Sequence, residues 1–177
     1  MGMGSLGDLK YLIFSDLHGS SGGLDLLSQA IEREKPDVIL NLGDVLYGAY
    51  DQDANACVDY LSSIHSRVLA VQGNCDFPTD AMRLMTDLRD ERTLVVSGHR
   101  LYFRHVPFWR DFAVGDIAVN GHTHVKCLYE ESGVYFLNPG SIGKPRDDGP
   151  GYALIHQGEL SLVDARSGVT IKSLPLE

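Results

Sequence analysis

The chain has 177 residues, 44% hydrophobic and 22% charged, which suits one ordinary globular domain and excludes collagen-like, coiled-coil and disordered classes. Fifteen Lys and Arg against 24 Asp and Glu leave a formal net charge of −9, so no extended nucleic-acid groove is expected. Cys57, Cys75 and Cys127 form neither a CxxC pair nor a disulfide framework, which points to a reduced, cytoplasmic protein.

Residues 1–8 read as an N-terminal extension without the apolar core of a signal peptide, and no apolar run is long enough to span a bilayer. Tyr11-Leu12-Ile13-Phe14 is predicted as the first buried strand, because a continuous short apolar run suits a strand covered on both faces. Leu24, Leu27, Ala30 and Ile31 then recur at helical spacing behind an N-cap at Ser20 or Ser21. Val38-Ile39-Leu40 and Val68-Leu69-Ala70-Val71 are further strands, and residues 53–64 and 79–88 are predicted helices. From Leu94 onwards the pattern changes. Residues 94–96, 101–103, 117–119, 134–137, 152–155, 160–163 and 169–171 read as short strands with Gly-rich turns between them. Strand–helix alternation followed by strands predicts an α/β layered sandwich with a mixed sheet, in one domain spanning residues 1–177.

The chemistry lies just beyond the carboxyl end of each apolar run. The first ends in Ser15-Asp16-Leu17-His18, the second in Asn41-Leu42-Gly43-Asp44 and the third in Gly73-Asn74-Cys75-Asp76. Leu101-Tyr102-Phe103 leads to Arg104-His105, and Ile117-Ala118-Val119 leads to Asn120-Gly121-His122-Thr123-His124. Open α/β sheets bind ligands beyond the carboxyl ends of their strands, so five strands deliver Asp, His and Asn side chains to one edge. These oxygen and nitrogen donors suit Mn, Fe, Zn or similar ions. Seven such side chains exceed what one open catalytic ion takes. Two ions sharing Asp44 use them well, and paired ions about 3.5–4 Å apart catalyse in-line phosphoryl displacement. Their charge makes the cluster locally positive within an acidic protein.

Asp16-x-His18, Gly43-Asp44, Gly73-Asn74, His105 and Gly121-His122-x-His124 together resemble the signature blocks of the calcineurin-like metallophosphoesterases. The short length, Gly73-Asn74-Cys75-Asp76 and Asn138-Pro139-Gly140-Ser141 resemble its small bacterial and archaeal phosphodiesterase subgroup. The resemblance implies a four-layer α/β sandwich of two mixed β-sheets flanked by helices, and a dinuclear centre that usually prefers Mn²⁺, with Zn²⁺, Fe²⁺, Ni²⁺ or Co²⁺ as alternatives. It implies one ion on Asp16, His18, Asp44 and His124 and the other on Asp44, Asn74, His105 and His122. The implied chemistry is hydrolysis of a small phosphodiester or phosphate-bearing substrate by a metal-bridging hydroxide, with Asp44, Asn74 and Cys75 as catalytic residues. Asn74, Lys144 and Arg146 are the expected substrate contacts.

Two positions depart from the family's pattern. Many relatives carry His where Cys75 stands, and a thiol is a poor substitute for an imidazole as the acid for a leaving group. The subgroup often reads His-Gly-His where this chain has His105-Val106-Pro107. Phe108 and Trp109, just beyond, are expected to pack. His65, His99 and His156 are expected at the surface or in structural roles, and Cys57 and Cys127 as small buried hydrophobes. The competing reading is a protein-binding scaffold of the same fold, similar to the retromer scaffold subunit, which shares an Asn-Pro-Gly-Ser stretch. A scaffold need not keep a complete ligand set, and here no ligand position is lost. The sequence leaves a homo-oligomer open and implies no membrane partner.

Overall fold

The four-residue apolar runs form strands because each is covered on both faces. In the computed structural model, which describes residues 9–177, β1 (Tyr11–Phe14) turns Tyr11 and Ile13 towards one apolar cluster and Leu12 and Phe14 towards another. Strand β2 (Val38–Asn41) and strand β3 (Val68–Val71) lie parallel beside it. The extension assigned to residues 1–8 lies outside the described residues.

Helix α1 (Ser21–Glu34) starts at Ser20, whose side chain accepts from the Gly23 amide at 3.0 Å, and it ends at Lys35 in a left-handed cap. Helix α2 (Ala54–Ser63) is capped by Asp53. Leu27, Ala30 and Ile31 of α1 and Cys57 and Leu61 of α2 pack on Leu12, Phe14 and Ile39. Both helices therefore cover the same outer face.

The helix predicted over residues 79–88 is one turn, α3 (Asp80–Arg83). Met82 and Met85 are exposed and Leu84 is the one buried apolar residue of the segment, so no apolar face supports further turns. Met85 takes φ 52°, and the chain leaves as strand β4 (Leu88–Arg89), parallel to β3. The remaining strands are β5 (Glu91–Val96), β6 (His99–Arg104), β7 (Ile117–Asn120), β8 (Lys126–Glu131), β9 (Val134–Pro139), β10 (Gly151–His156), β11 (Glu159–Asp164) and β12 (Thr170–Pro175). β8 is unread in the sequence because it is an edge strand with Leu128 as its one buried residue. β12 runs past the predicted 169–171 to Pro175.

Two mixed sheets result. One has the order β12-β11-β10-β1-β2-β3-β4, the other β5-β6-β7-β9-β8. They face each other across a cluster that joins Ile13, Leu40, Val71 and Ile155 to Leu101, Phe103, Val119 and Leu137. The outer face of the five-stranded sheet carries Tyr102 and Phe136, which contact Phe112 from the loop after β6. Among the described residues no helix covers that face, and none is long and apolar enough to cross a membrane.

Candidate metal centre

The carboxyl ends of β1, β2 and β3 meet those of β6 and β7 across the sandwich. The backbone there is unusual. Asp16, His18, Asp44, His122 and His124 all have positive φ, between 54° and 68°. A non-glycine residue in this left-handed region is uncommon, and clusters of them mark functional sites. Loop-to-loop bonds hold the conformation: the Asp16 amide donates to the Gly43 carbonyl, His18 to Asp44, and Gly121 to His105.

The side chains converge as two groups. Asp16 Oδ1 lies 3.1 Å from His124 Nε2 and 3.5 Å from His18 Nε2, and the two Nε2 atoms are 3.2 Å apart. In the second group, Asn74 Oδ1 lies 3.0 Å from His105 Nε2 and 2.9 Å from His122 Nδ1. Asp44 Oδ2 stands between them, 3.3 Å from His105 Nε2 and 3.8 Å from His18 Nε2. All seven sequence-predicted ligand residues are thus brought together. Asp16, His18, Asp44, His105 and His124 are buried, whereas Asn74 and His122 form an exposed lip.

Hydrogen bonding fixes which ring atoms face the centre. Nδ1 of His18 donates to the Tyr47 carbonyl at 2.6 Å, His105 to Leu42 at 2.7 Å and His124 to Lys144 at 2.6 Å. A carbonyl can only accept, so each neutral ring points a bare Nε2 lone pair inwards. Asp16 Oδ2 accepts from Ser15 Oγ and the His122 amide, but its buried Oδ1 has no hydrogen-bond donor. Lone pairs crowded to within hydrogen-bond distance, beside an orphaned carboxylate oxygen, fit cations.

The electrostatics agree. Burial disfavours the Asp16 carboxylate, yet His124, His18 and Ser15 outweigh it and hold the acid well below the usual range. Burial likewise opposes charge on Asp44, and His105 with the Cys75 amide brings it down. Burial also pulls His18 and His105 down, but Asp16 and Asp44 lift them above the ordinary histidine value. The two buried carboxylates thus favour positive charge beside them, which a divalent cation can supply.

Several supporting residues carry no role in the sequence reading. Buried Asp76 accepts from the Asp44 and Gly73 amides through Oδ2, both at 2.8 Å, and from Val45 through Oδ1. It ties the Asp44 loop to the Asn74 loop. Burial raises its pKa, against the pull of those three amides. Asn138 donates to the Gly121 carbonyl, and Ser141 donates to the Asp16 carbonyl at 2.7 Å. The Asn-Pro-Gly-Ser stretch therefore joins the Asp16 and His122 loops. A Cβ at Gly73 would collide with the Asp44 carboxylate, and one at Gly121 with Ser15 Oγ. The signal available in the sequence is Asp76 itself, one residue beyond Asn74-Cys75.

The family profile of the calcineurin-like phosphoesterase superfamily domain matches residues 9–159. The chain belongs to the calcineurin-like phosphoesterase superfamily. It is 25% identical over 171 residues to the Escherichia coli phosphodiesterase YfcE, covering 88% of this chain and 91% of that one. It is 26% identical to a probable metallophosphoesterase of Mycoplasma pneumoniae, covering 78% and 82%. In fold, the solved E. coli YfcE structure superposes with a TM-score of 0.89 at 23% identity, covering 96% of this chain and all of that one. Vacuolar protein sorting 29 of Cryptosporidium parvum superposes with a TM-score of 0.65 at 22% identity, covering 95% and 98%.

In this superfamily member the centre opens into a cleft of ≈ 240 Å³ that Cys75, Lys144 and Arg146 also line. Lys144 Nζ donates to the Gly48 carbonyl at 2.8 Å across the mouth, so its charge sits over the opening. The Cys75 thiol is pushed up to about 11 by burial and by the charge of Asp44. Phe108 packs edge-on against Phe112 as expected, but Trp109 is 90% exposed and does not pack. It lies in the loop after β6, outside any strand. Cys57 is fully buried, Cys127 half-buried, and His99 bonds the Gly115 carbonyl.

Proposed function

We propose that this chain is a divalent-metal-dependent phosphodiesterase. One ion would be held by Asp16, His18, Asp44 and His124, the other by Asp44, Asn74, His105 and His122. The observation that carries the reading is the pair of converging donor sets that share Asp44 Oδ2, with Asp16 Oδ1 left without a donor. Mn²⁺ is our first choice, and Zn²⁺, Fe²⁺, Ni²⁺ or Co²⁺ suit the same donors. Ions held by these residues would supply Lewis acidity towards a phosphate and would acidify a coordinated water.

The chain's own residues set the geometry. Asp44 fixes the spacing of the two groups while its Oδ1 accepts from the Cys75 amide at 2.7 Å. The carbonyls of Tyr47, Leu42 and Lys144 hold three imidazoles in the binding tautomer. Asn74 turns Oδ1 to the centre and keeps its Nδ2 at the exposed lip, within reach of a phosphate oxygen. Lys144 and Arg146 line the same cleft and supply positive charge for an anionic substrate. Cys75 holds its proton too tightly to act as an imidazole does, which favours substrates with good leaving groups. One apolar cluster spans both sheets, which supports a single domain.

Chelator-stripped protein should hydrolyse a generic aryl phosphodiester only after Mn²⁺ is added, and Asp44→Asn should lose that turnover. Two ions bound at equilibrium without turnover of any diester would replace this reading with the scaffold one. Failure to bind any ion would overturn the ligand assignment.

A further inference from the structure

A second cavity, of ≈ 310 Å³, opens on the other flank of the centre and is lined by Gln72, Asn74, Asp90, Arg104, His105 and Val106. Its size falls within the range of small-ligand pockets, about 300–1,000 Å³. It shares Asn74 with the Lys144 cleft and adds His105, so a ligand seated on the centre can extend into it.

Arg104 is the cation in its wall. It ends β6, in register with Glu91 on one side and Asn120 on the other, one residue before His105. Its Nε is buried and has no hydrogen-bond partner. Among the described residues no carboxylate lies within 4.0 Å of its guanidinium, which stands 5.6 Å from the Phe108 ring centre. The neighbouring arginines behave differently. Arg92 pairs with Asp87, Arg100 with Asp116 and Arg110 with Glu91. In a chain with 24 carboxylates and 15 cations, pairing would be the easy outcome. Asp90 also lines this cavity, but it is exposed and forms no ion pair with Arg104. A buried donor without a partner is costly, so an oxyanion able to reach this guanidinium would be bound favourably. The guanidinium fork matches two oxygens of a phosphate at once.

We propose that this cavity is a substrate subsite in which Arg104 binds a second, non-scissile phosphate, so that the preferred substrates are phosphodiesters carrying a terminal phosphate. The inference rests on the phosphodiesterase reading. Lys144 and Arg146 lie in the opposite cleft, so the two ends of such a diester meet different cations.

The test uses two nitrophenyl alkyl phosphodiesters that differ only in the chain end, a hydroxyl or a phosphate, assayed with the Mn²⁺-loaded protein. The readout is the ratio of their kcat/KM values, which does not depend on the fraction of protein folded. The wild type should prefer the phosphorylated diester. Arg104→Gln should cut that ratio roughly ten- to hundred-fold, the range for a lost charge-assisted contact. Arg104→Lys should keep part of it, and Arg146→Gln should keep most of it. An unchanged ratio in Arg104→Gln, or its loss in Arg146→Gln alone, overturns the subsite and leaves the phosphodiesterase reading standing. Turnover of neither diester by the wild type overturns both.

Discussion

The two ends of the sandwich use the same rare backbone conformation for different purposes. At one end, Ser97-Gly98, Ser132-Gly133 and Gln157-Gly158 are two-residue hairpin loops in which both residues have positive φ. That is the type I′ arrangement, whose twist matches the strands it joins. At the other end, Asp16, His18, Asp44, His122 and His124 have the same positive φ without such a turn. There the conformation is held by bonds between loops far apart in sequence. The hairpin turns are local and cheap. The centre is a tertiary product, so changes there should spread from one loop to the next.

The largest effect should come from removing the shared carboxylate: Asp44→Asn should lower metal-dependent kcat by roughly a thousandfold, measured on an aryl phosphodiester. Asp76→Ala should rank second. It strips three amides of their acceptor, so denaturant unfolding should show a loss of about 3 kcal/mol together with weaker ion binding. Mn²⁺ at about a hundred times its dissociation constant should stabilise the stripped protein by roughly 2.7 kcal/mol, read as a rise in Tm. An equal rise in Asp44→Asn would break the comparison. Gly121→Ala forces a Cβ onto Ser15 Oγ and should cost about 1–3 kcal/mol. At the hairpin end, Gln157→Asn should raise stability by a few tenths of a kcal/mol, about 0.5 at most, without touching activity, because Asn suits a type I′ turn.

Legibility in the sequence divides along the same line. Strand β1 matches its prediction residue for residue, because a four-residue apolar run covered on both faces leaves little freedom. The seven donor residues are legible because each closes an apolar run, and strand polarity sends those ends to one edge. Residues 79–88 read as a long helix on spacing alone, yet that spacing has no surface to pack on, and Met82 and Met85 stay in solvent. Asp76 and Ser141 look like mere motif neighbours in the sequence, and only in three dimensions do they join separate loops of the centre. Trp109 is expected to pack, but the loop after β6 presents it to solvent.

By itself, then, the sequence determined which polar side chains close the apolar runs, the order of the strands that carry them and the family to which the chain belongs, since these depend on residue type and local pattern. Only the tertiary structure decided which imidazole nitrogen faces inwards, which carboxylate oxygen lacks a donor and which arginine lacks a carboxylate. Those facts depend on partners tens of residues away: Tyr47 for His18, Leu42 for His105, Lys144 for His124. A hydrogen bond is satisfied or left open by the distance at which folding sets its two ends, and sequence spacing alone carries no such distance.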